Sequence, residues 1–251
     1  MNITKVQTFF TFAERRTGKA ELEEKALICF THNETSNGTQ IPMSTIEEVH
    51  EMFPKQLIAV DATSSMAGVN FSWKSADIWY ASVQKCFGMP AGLSIIVLSP
   101  RAVARASEIG EKKHYNSLLK MCENIEKYQA THTPNVLGIY LLMRTLEIMP
   151  SIKETDEITK KRAKIWYQYF EKHPLFKPLV DLEAVRSDTV IALKASKDII
   201  PALKERAKKA GFLLGSGYDR WKENTFRIAN FPSITDQEIS KLKEFLHKYE
   251  G

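Results

Sequence analysis

Four short apolar runs in the first half of the chain limit most strongly what it can fold into. Near-continuous runs of this length are typical of strands buried on both faces, as in a parallel sheet covered by helices. Between the first two runs, a segment that starts with Ser44 carries apolar residues at helical spacing, which predicts an amphipathic helix capped by that serine. A strand–helix–strand order favours an α/β fold. The four runs are residues 26–30, 57–60, 78–81 and 93–98.

The pattern of apolar residues changes in the second half of the chain. From Arg101 the pattern is helical, and residues 133–149 are apolar on nearly every side, which predicts a helix buried in a core or an interface. We therefore predict two domains, an α/β domain over residues 1–150 and a small α+β domain over residues 151–251. In the second domain, the pattern predicts helices near residues 153–172, 199–210 and 236–249, and strands near residues 187–193 and 225–229.

Composition excludes several classes of protein. The 251 residues are 43% hydrophobic and 26% charged with a net charge of +5, and lysines and glutamates are interleaved, so we expect neither a nucleic-acid nor a membrane partner. The first seven residues lack the layout of a signal peptide. Three scattered cysteines favour a reducing, cytoplasmic setting, and no Cys/His cluster predicts a metal.

Polar segments follow three of the predicted strands. They are residues 31–38, 61–65 and 82–92. In open α/β sheets, ligands bind beyond the carboxyl ends of the strands, so these segments are candidates for a binding site.

The same segments carry a specific resemblance. VDATSS, followed by SVQKCFGMPAGL, resembles the cofactor core of class V, fold-type-I pyridoxal-phosphate (PLP) enzymes. The segments THNETSNG, THTPN and FRIANFP, together with a glutamine directly before the lysine, resemble the phosphoserine aminotransferase branch of that family. The resemblance covers essentially the whole chain in order. It implies a large domain with a mainly parallel sheet and helices on both faces, and PLP as the cofactor.

The resemblance assigns the central chemistry to Lys85 and Asp61. On the residues alone, Lys85 is compatible with a surface lysine on a turn, and Asp61 with a turn cap. The resemblance implies instead that Lys85 forms the Schiff base with PLP and shuttles the proton. It implies that the Asp61 carboxylate faces the pyridine nitrogen and keeps it protonated, so that the ring can accept electrons.

Two further residues are expected to bind the cofactor. The resemblance places the Thr35 hydroxyl near the phenolic oxygen of PLP and Gln84 at its phosphate, although Thr35 could also only satisfy its own loop. Gln84 argues against the cysteine desulfurase branch, which has histidine before the lysine. Cys86 and Cys122 fit small buried residues better than nucleophiles.

His132 and Thr133 precede Pro134, where the apolar helix begins. By local pattern alone, Thr133 is a helix cap followed by proline in the first turn. The resemblance implies that both residues reach across a dimer interface to the partner subunit's PLP phosphate, for which a helix N-terminus is suited. We therefore expect a homodimer with this helix near the interface.

Arg227 is the candidate substrate clamp. The resemblance implies that its guanidinium binds the substrate α-carboxylate through two parallel hydrogen bonds, while the alternative is an ion pair with a structural carboxylate. The segment of residues 215–222 departs from the histidine–arginine pair that binds phosphate in the family. Arg220 or Lys222 could bind the phosphate instead. Because of this departure, the resemblance does not establish phosphoserine as the substrate.

The resemblance also implies that the family's N-terminal third is missing, including the loop that cradles the PLP phosphate. We expect the chain alone to bind PLP weakly or not at all. The implied reaction transfers an amino group between glutamate and 3-phosphohydroxypyruvate, a phosphorylated 2-oxo acid with three carbons, in serine biosynthesis. Two alternatives remain: a class V aminotransferase with other amino-acid and oxo-acid substrates, and a catalytically silent fragment that acts as a subunit or interaction module.

Overall fold

A computed structural model describes residues 25–249. The elements of the first half, in chain order, are β1 Leu27–Thr31, β2 Asn33–Glu34, β3 Thr39–Gln40, α1 Met43–Met52, β4 Leu57–Asp61, β5 Ile78–Ser82, β6 Ser94–Leu98, α2 Pro100–Ile109, α3 Leu118–Ile125 and α4 Val136–Ile148. Those of the second half are α5 Ile152–Lys172, β7 Lys177–Pro178, β8 Val190–Lys194, α6 Ile199–Lys209, β9 Gly215–Ser216, β10 Thr225–Ala229 and α7 Asp236–His247.

The larger sheet has the strand order β1-β4-β5-β6. Strands β1, β4 and β5 are parallel, and β6 is antiparallel to β5. One face packs against α1 through Ile46 and Val49 and against the core around Ile58, Val60 and Trp79. This is the α/β arrangement that the apolar runs predict.

The opposite face of this sheet is largely open within residues 25–249. Helices α2 and α3 lie only against its amino-terminal part, while Tyr80 is 40% exposed and Ile96 is 41% exposed. The prediction that all four strands are buried on both faces is therefore wrong for β1, β5 and β6, and it holds for β4 apart from its last residue.

Two predicted helix caps are also wrong. Helix α1 begins at Met43 after Pro42, without a side-chain cap, so Ser44 lies inside the first turn. Helix α4 begins at Val136, and its cap is Asn135, whose Oδ1 accepts a hydrogen bond from Gly138 N at 2.9 Å. For α1 the cap is Pro42 itself, and for α4 Pro134 lies directly before the cap Asn135. Proline has a fixed φ and no backbone N–H, so it fits at the start of a helix and not inside it.

Helix α4 is apolar but not buried in the core of this chain. Val136 is 68% exposed and Leu137 is 67% exposed, and no residue of the helix is buried. Within residues 25–249 the helix therefore lies at the surface, with Leu142 partly buried against the core of the larger sheet.

The smaller sheet has the order β7-β8-β10-β9, and all its pairs are antiparallel. Helices α5, α6 and α7 cover one face and enclose a second core around Trp166, Leu203, Phe226 and Leu246. Capping boxes start α5 at Ser151 and α7 at Thr235. Strand β10 has the predicted bounds and is central, so its Arg227 lies between two neighbouring strands.

No helix among the described residues has the length and apolar character needed to cross a bilayer. In the same residues, His, Cys, Asp and Glu side chains form no group of three that could hold a metal ion.

Candidate active site

The carboxyl ends of three parallel strands meet at one edge of the larger sheet. In the register, Thr31 is opposite Asp61 and Asp61 is opposite Tyr80. Asp61 is partly buried, and its Oδ1 accepts a hydrogen bond from Thr63 N at 2.9 Å. The polar segments that follow the strands are therefore neighbours, as expected for this sheet.

Ser64 connects the segments after β1, β4 and β5. Its Oγ is hydrogen-bonded to Thr35 Oγ1. Its carbonyl oxygen accepts the thiol of buried Cys86 at 3.4 Å and the hydroxyl of Thr189 at 2.5 Å. Thr35 and the residue after Lys85 are thus both bonded to Ser64, three positions after Asp61, and Cys86 has the buried structural role that was predicted.

Lys85 lies in the turn that follows β5. Its side chain is partly buried, and its Nζ lies 6.0 Å from the ring centroid of Phe231. The turn is closed by Gly88 N, which donates to the carbonyl of Lys85 at 2.9 Å, and Gly88 has a φ of +68°. Gln84, directly before the lysine, is exposed.

Arg227 extends from the smaller sheet to the segment after β1. Its Nη1 donates to the carbonyl of Thr35 at 2.7 Å, and its Nε donates to the carbonyl of Ser216 at 2.8 Å. The guanidinium lies 4.8 Å from the ring centroid of Tyr218. Within residues 25–249 it forms no ion pair with a carboxylate, so the structural ion pair considered as an alternative is not formed there.

The hairpin β2–β3, which contains Thr35, is held against β8. Ser187 Oγ donates to Asn33 Oδ1, and Gln40 Nε2 donates to Asp188 Oδ2 at 3.1 Å. Burial raises the pKa of Asp188. A Cβ on Gly38 would lie 2.8 Å from that of Ala192, so the hairpin approaches β8 closely. The two halves of the candidate site are thereby fixed to each other.

His132 and Thr133 are not joined to the other predicted residues by a hydrogen bond in the part of the chain described. Both are exposed, and the His132 ring lies 4.3 Å from that of Tyr115. In the segment that departs from the family pattern, the guanidinium of Arg220 lies 4.4 Å from the ring centroid of Trp221, and Lys222 is exposed.

Ser64 and Phe231 contribute to the site but were not singled out from the sequence. Both lie in segments that carry the resemblance, VDATSS and FRIANFP. These motifs therefore mark both residues as candidates for the site. Their contacts join residues far apart in the chain and cannot be read from local pattern.

Relatives of the chain are phosphoserine aminotransferases. The chain is 31% identical over 224 residues to one from Rhodococcus opacus, which covers 86% of this chain and 59% of the relative. It is 28% identical over 240 residues to a putative phosphoserine aminotransferase from Mycobacterium leprae. The chain therefore spans about three fifths of the length of the curated relatives that it matches.

Solved structures agree with these relatives. A phosphoserine aminotransferase from Cytophaga hutchinsonii superposes with a TM-score of 0.84 at 30% identity, covering 97% of this chain and 68% of that one. An alanine–glyoxylate aminotransferase from Nostoc has a TM-score of 0.78 at 20% identity, which shows the shared fold alone. The predicted fold type is confirmed.

The family profile named Aminotransferase class-V matches residues 10–199. This match covers most of the chain and includes Thr35, Asp61 and Lys85. The resemblance inferred from the five motifs is confirmed at the level of the family. This chain belongs to the class V aminotransferase family.

Proposed function

We propose that this chain is the part of a PLP-dependent aminotransferase that carries the reactive lysine. The observation that supports this most strongly is that the segments of Thr35, Asp61 and Lys85 follow neighbouring strands, with Ser64 bonded to Thr35 and Cys86 and with Arg227 bonded to the Thr35 carbonyl. Three residue types that the reaction needs thus lie at one edge of the larger sheet, and Arg227 reaches this edge from the smaller sheet, in a chain of the right family.

The residues present fit PLP. Within residues 25–249, the hydrogen bonds of the Asp61 carboxylate use Oδ1, which leaves Oδ2 for the pyridine nitrogen. The sheet face on which Asp61 lies is open beside it, at Tyr80 and Ile96. Thr35 would bind near the phenolic oxygen and Gln84 at the phosphate. When bound, PLP supplies an electron sink for the bond between the substrate Cα and its hydrogen.

Lys85 would bind the cofactor and move the proton at its Nζ. This task requires an amine that loses its proton readily, which lysine can supply and arginine cannot. Lys85 is partly buried, and its Nζ lies 6.0 Å from the ring centroid of Phe231, so its side chain is directed toward the segment that follows β10. Asp61, as a carboxylate, would hold the proton on the pyridine nitrogen.

Arg227 would bind the substrate carboxylate. Its Nε and one hydrogen of Nη1 are used by backbone carbonyls, so Nη2 and the second hydrogen of Nη1 remain for two parallel hydrogen bonds. The carbonyl acceptors and Tyr218 hold the guanidinium in one orientation. A clamp fixed in advance loses less conformational freedom when the substrate binds.

The substrates we propose are glutamate and 3-phosphohydroxypyruvate. The relatives of about 30% identity support this pair, since their names specify phosphoserine. The fold does not discriminate further, because an alanine–glyoxylate enzyme has nearly the same fold at 20% identity. A class V aminotransferase with other substrates is the alternative.

Spectroscopy of the amino-group transfer tests this function. The protein is loaded with PLP and mixed with glutamate, and the change in cofactor absorbance and the release of 2-oxoglutarate are followed. A panel of oxo acids, with 3-phosphohydroxypyruvate first, then identifies the acceptor. Lys85→Ala should abolish both signals, while Lys74→Ala, at an exposed lysine before β5, should retain them. Equal signals in the two variants would contradict the proposal, and no signal in the loaded parent would favour the silent fragment.

We also propose a homodimer in which α4 lies at or near the interface. This places the exposed side chains of Val136 and Leu137 away from water, and it explains why His132 and Thr133 lie outside the site of their own chain. Light scattering tests the dimer: Leu137→Glu should shift the mass toward the monomer, while Ile158→Glu, on an exposed part of α5, should not. A monomeric parent protein would contradict it.

A further inference from the structure

His32 is the only fully buried histidine side chain within residues 25–249, with 0% of its surface exposed. It follows β1 and precedes the hairpin that contains Thr35. Its ring meets the ring of Phe71 edge-on, with centroids 5.1 Å apart. Burial lowers the pKa of His32 to about 4, so the ring is neutral near pH 7.

Two hydrogen bonds connect His32 to the two ends of the turn after β4. Its backbone N–H donates to the carbonyl of Asp61 at 2.9 Å. Its ring Nδ1 lies 2.8 Å from Ser65 Oγ. His32 is thus hydrogen-bonded both to Asp61, which starts this turn, and to Ser65, four positions later.

The donors and acceptors at Ser65 indicate which ring nitrogen carries the proton. Ser65 Oγ donates to the carbonyl of Ala62 at 3.4 Å, so the oxygen is free to accept a second bond. The Nδ1–H form of His32 then donates to Ser65, and the bonds continue in one direction to Ala62. In this form Nε2, which has no hydrogen-bond partner within residues 25–249, is an acceptor and not an unpaired donor.

We propose that His32 is a positioning residue that fixes the Asp61 carboxylate for the cofactor, by holding the turn of residues 61–65 through Ser65. This inference rests on the proposed function for the identity of the ligand of Asp61. The hydrogen bonds themselves do not depend on that function. His32 does not touch the reacting atoms; it acts through the turn.

Three variants separate the hydrogen bond from the volume of the ring. His32→Phe keeps a ring but removes Nδ1. His32→Asn keeps a donor close to the position of Nδ1 and should restore the bond. Ser65→Ala removes the same bond from the other side and keeps the buried ring. His173→Phe is the matched control, because His173 is a buried histidine in the core of the smaller sheet.

Hydrogen exchange of the full chain without cofactor is the first measurement. We expect His32→Phe and Ser65→Ala to speed exchange of the amides of Ser65 and Met66 about tenfold, which corresponds to the loss of one hydrogen bond, and His32→Asn to stay close to the parent. The amides of β8 should not change. Equal exchange in all variants, or the same increase in His173→Phe, would overturn the proposal. If His32→Phe does not fold, the exchange rates of Ser65→Ala alone test the proposal.

Nitrogen NMR of His32 and cofactor absorbance provide two independent readouts. The Nδ1–H tautomer is expected, and the Nε2–H tautomer would overturn the bond direction. In the PLP-loaded protein, Ser65→Ala should shift the pH midpoint of the cofactor absorbance, while His173→Phe should not. If neither the pH midpoint of the cofactor absorbance nor the amide exchange rate changes, His32 does not position Asp61 and the proposal is overturned. Failure of PLP to attach to Lys85 would contradict the proposed function and would leave the exchange result to decide on His32.

Discussion

Arg227 Nη1 lies 2.7 Å from the carbonyl oxygen of Thr35, a residue 192 positions earlier in the chain. This hydrogen bond joins the central part of the smaller sheet to the segment that follows β1. It places the candidate substrate clamp beside the candidate cofactor loop.

Replacement of Arg227 by lysine should weaken substrate binding without removing the charge. Lysine lacks the planar fork, so one of two parallel hydrogen bonds is lost, a loss of about 1.5–3 kcal/mol. The KM for glutamate should rise roughly tenfold to a hundredfold by the same relation. Arg206→Lys, at an exposed arginine over the ring of Tyr249 in the second core, is the control and should leave the KM for glutamate nearly unchanged. Equal KM values in the two variants would contradict the clamp.

Asp61→Asn should slow proton removal from the substrate while the fold remains intact. The amide oxygen can still accept from Thr63 N, but a neutral side chain does not hold a proton on the pyridine nitrogen. The rate of the glutamate half-reaction should fall by roughly a hundredfold or more. Asp77→Asn is the control. Asp77 accepts from Ile58 N at 3.1 Å and Ser99 Oγ at 2.7 Å, so its replacement should lower stability and not the half-reaction rate.

Gly88→Ala should destabilise the turn that carries Lys85. A φ of +68° costs a residue with a side chain about 1–2 kcal/mol, and the new Cβ would lie 2.8 Å from that of Ser233. Gly211→Ala separates the two effects, since Gly211 has a φ of +87° and no atom within 4 Å of the new Cβ. Urea unfolding should show a larger loss for Gly88→Ala. A loss equal to that of Gly211→Ala would show that the contact with Ser233 adds nothing.

His32 should make the protein less stable in acid. Its pKa is about 4 in the folded chain against an ordinary value of 6.5, so the unfolded chain binds the proton more tightly. The free energy of unfolding is unaffected above pH 6.5 and falls as the pH drops from about 6.5 to about 4, by up to about 3 kcal/mol. Denaturant unfolding across this range should show a flatter profile for His32→Asn than for the parent. Parallel profiles would contradict the buried, neutral histidine.

Much of the fold could be predicted from the sequence, and so could the meeting of the segments that form the candidate site. Apolar runs identify strands, the carboxyl ends of parallel strands meet at one edge, and the motif lysine follows the next strand. The cap of α4 could not be predicted correctly. Thr133 and Asn135 both have side chains that can cap a helix, and the backbone conformation determines which of them does so. The exposure of Tyr80 and Ile96 could not be predicted either, because an apolar pattern indicates which surface avoids water and not what covers it.

The contacts of His32 and Ser64 show a second limit. Their partners lie 33 and 29 positions away, and a local pattern does not record such pairs. A histidine between a strand and a polar loop is compatible with exposure, burial or ligand binding. Only the pairing of β1 with β4 decides between these, because it places the His32 amide at the carbonyl of Asp61.

Reduction of the PLP-treated protein with borohydride, followed by peptide mass mapping, tests the central claim most directly. PLP is supplied in excess over the protein. We expect one predominant cofactor label, on Lys85, and its loss in Lys85→Ala with no transfer to Lys74. A label spread over surface lysines, or equal labelling in the Lys85→Ala variant, would contradict it.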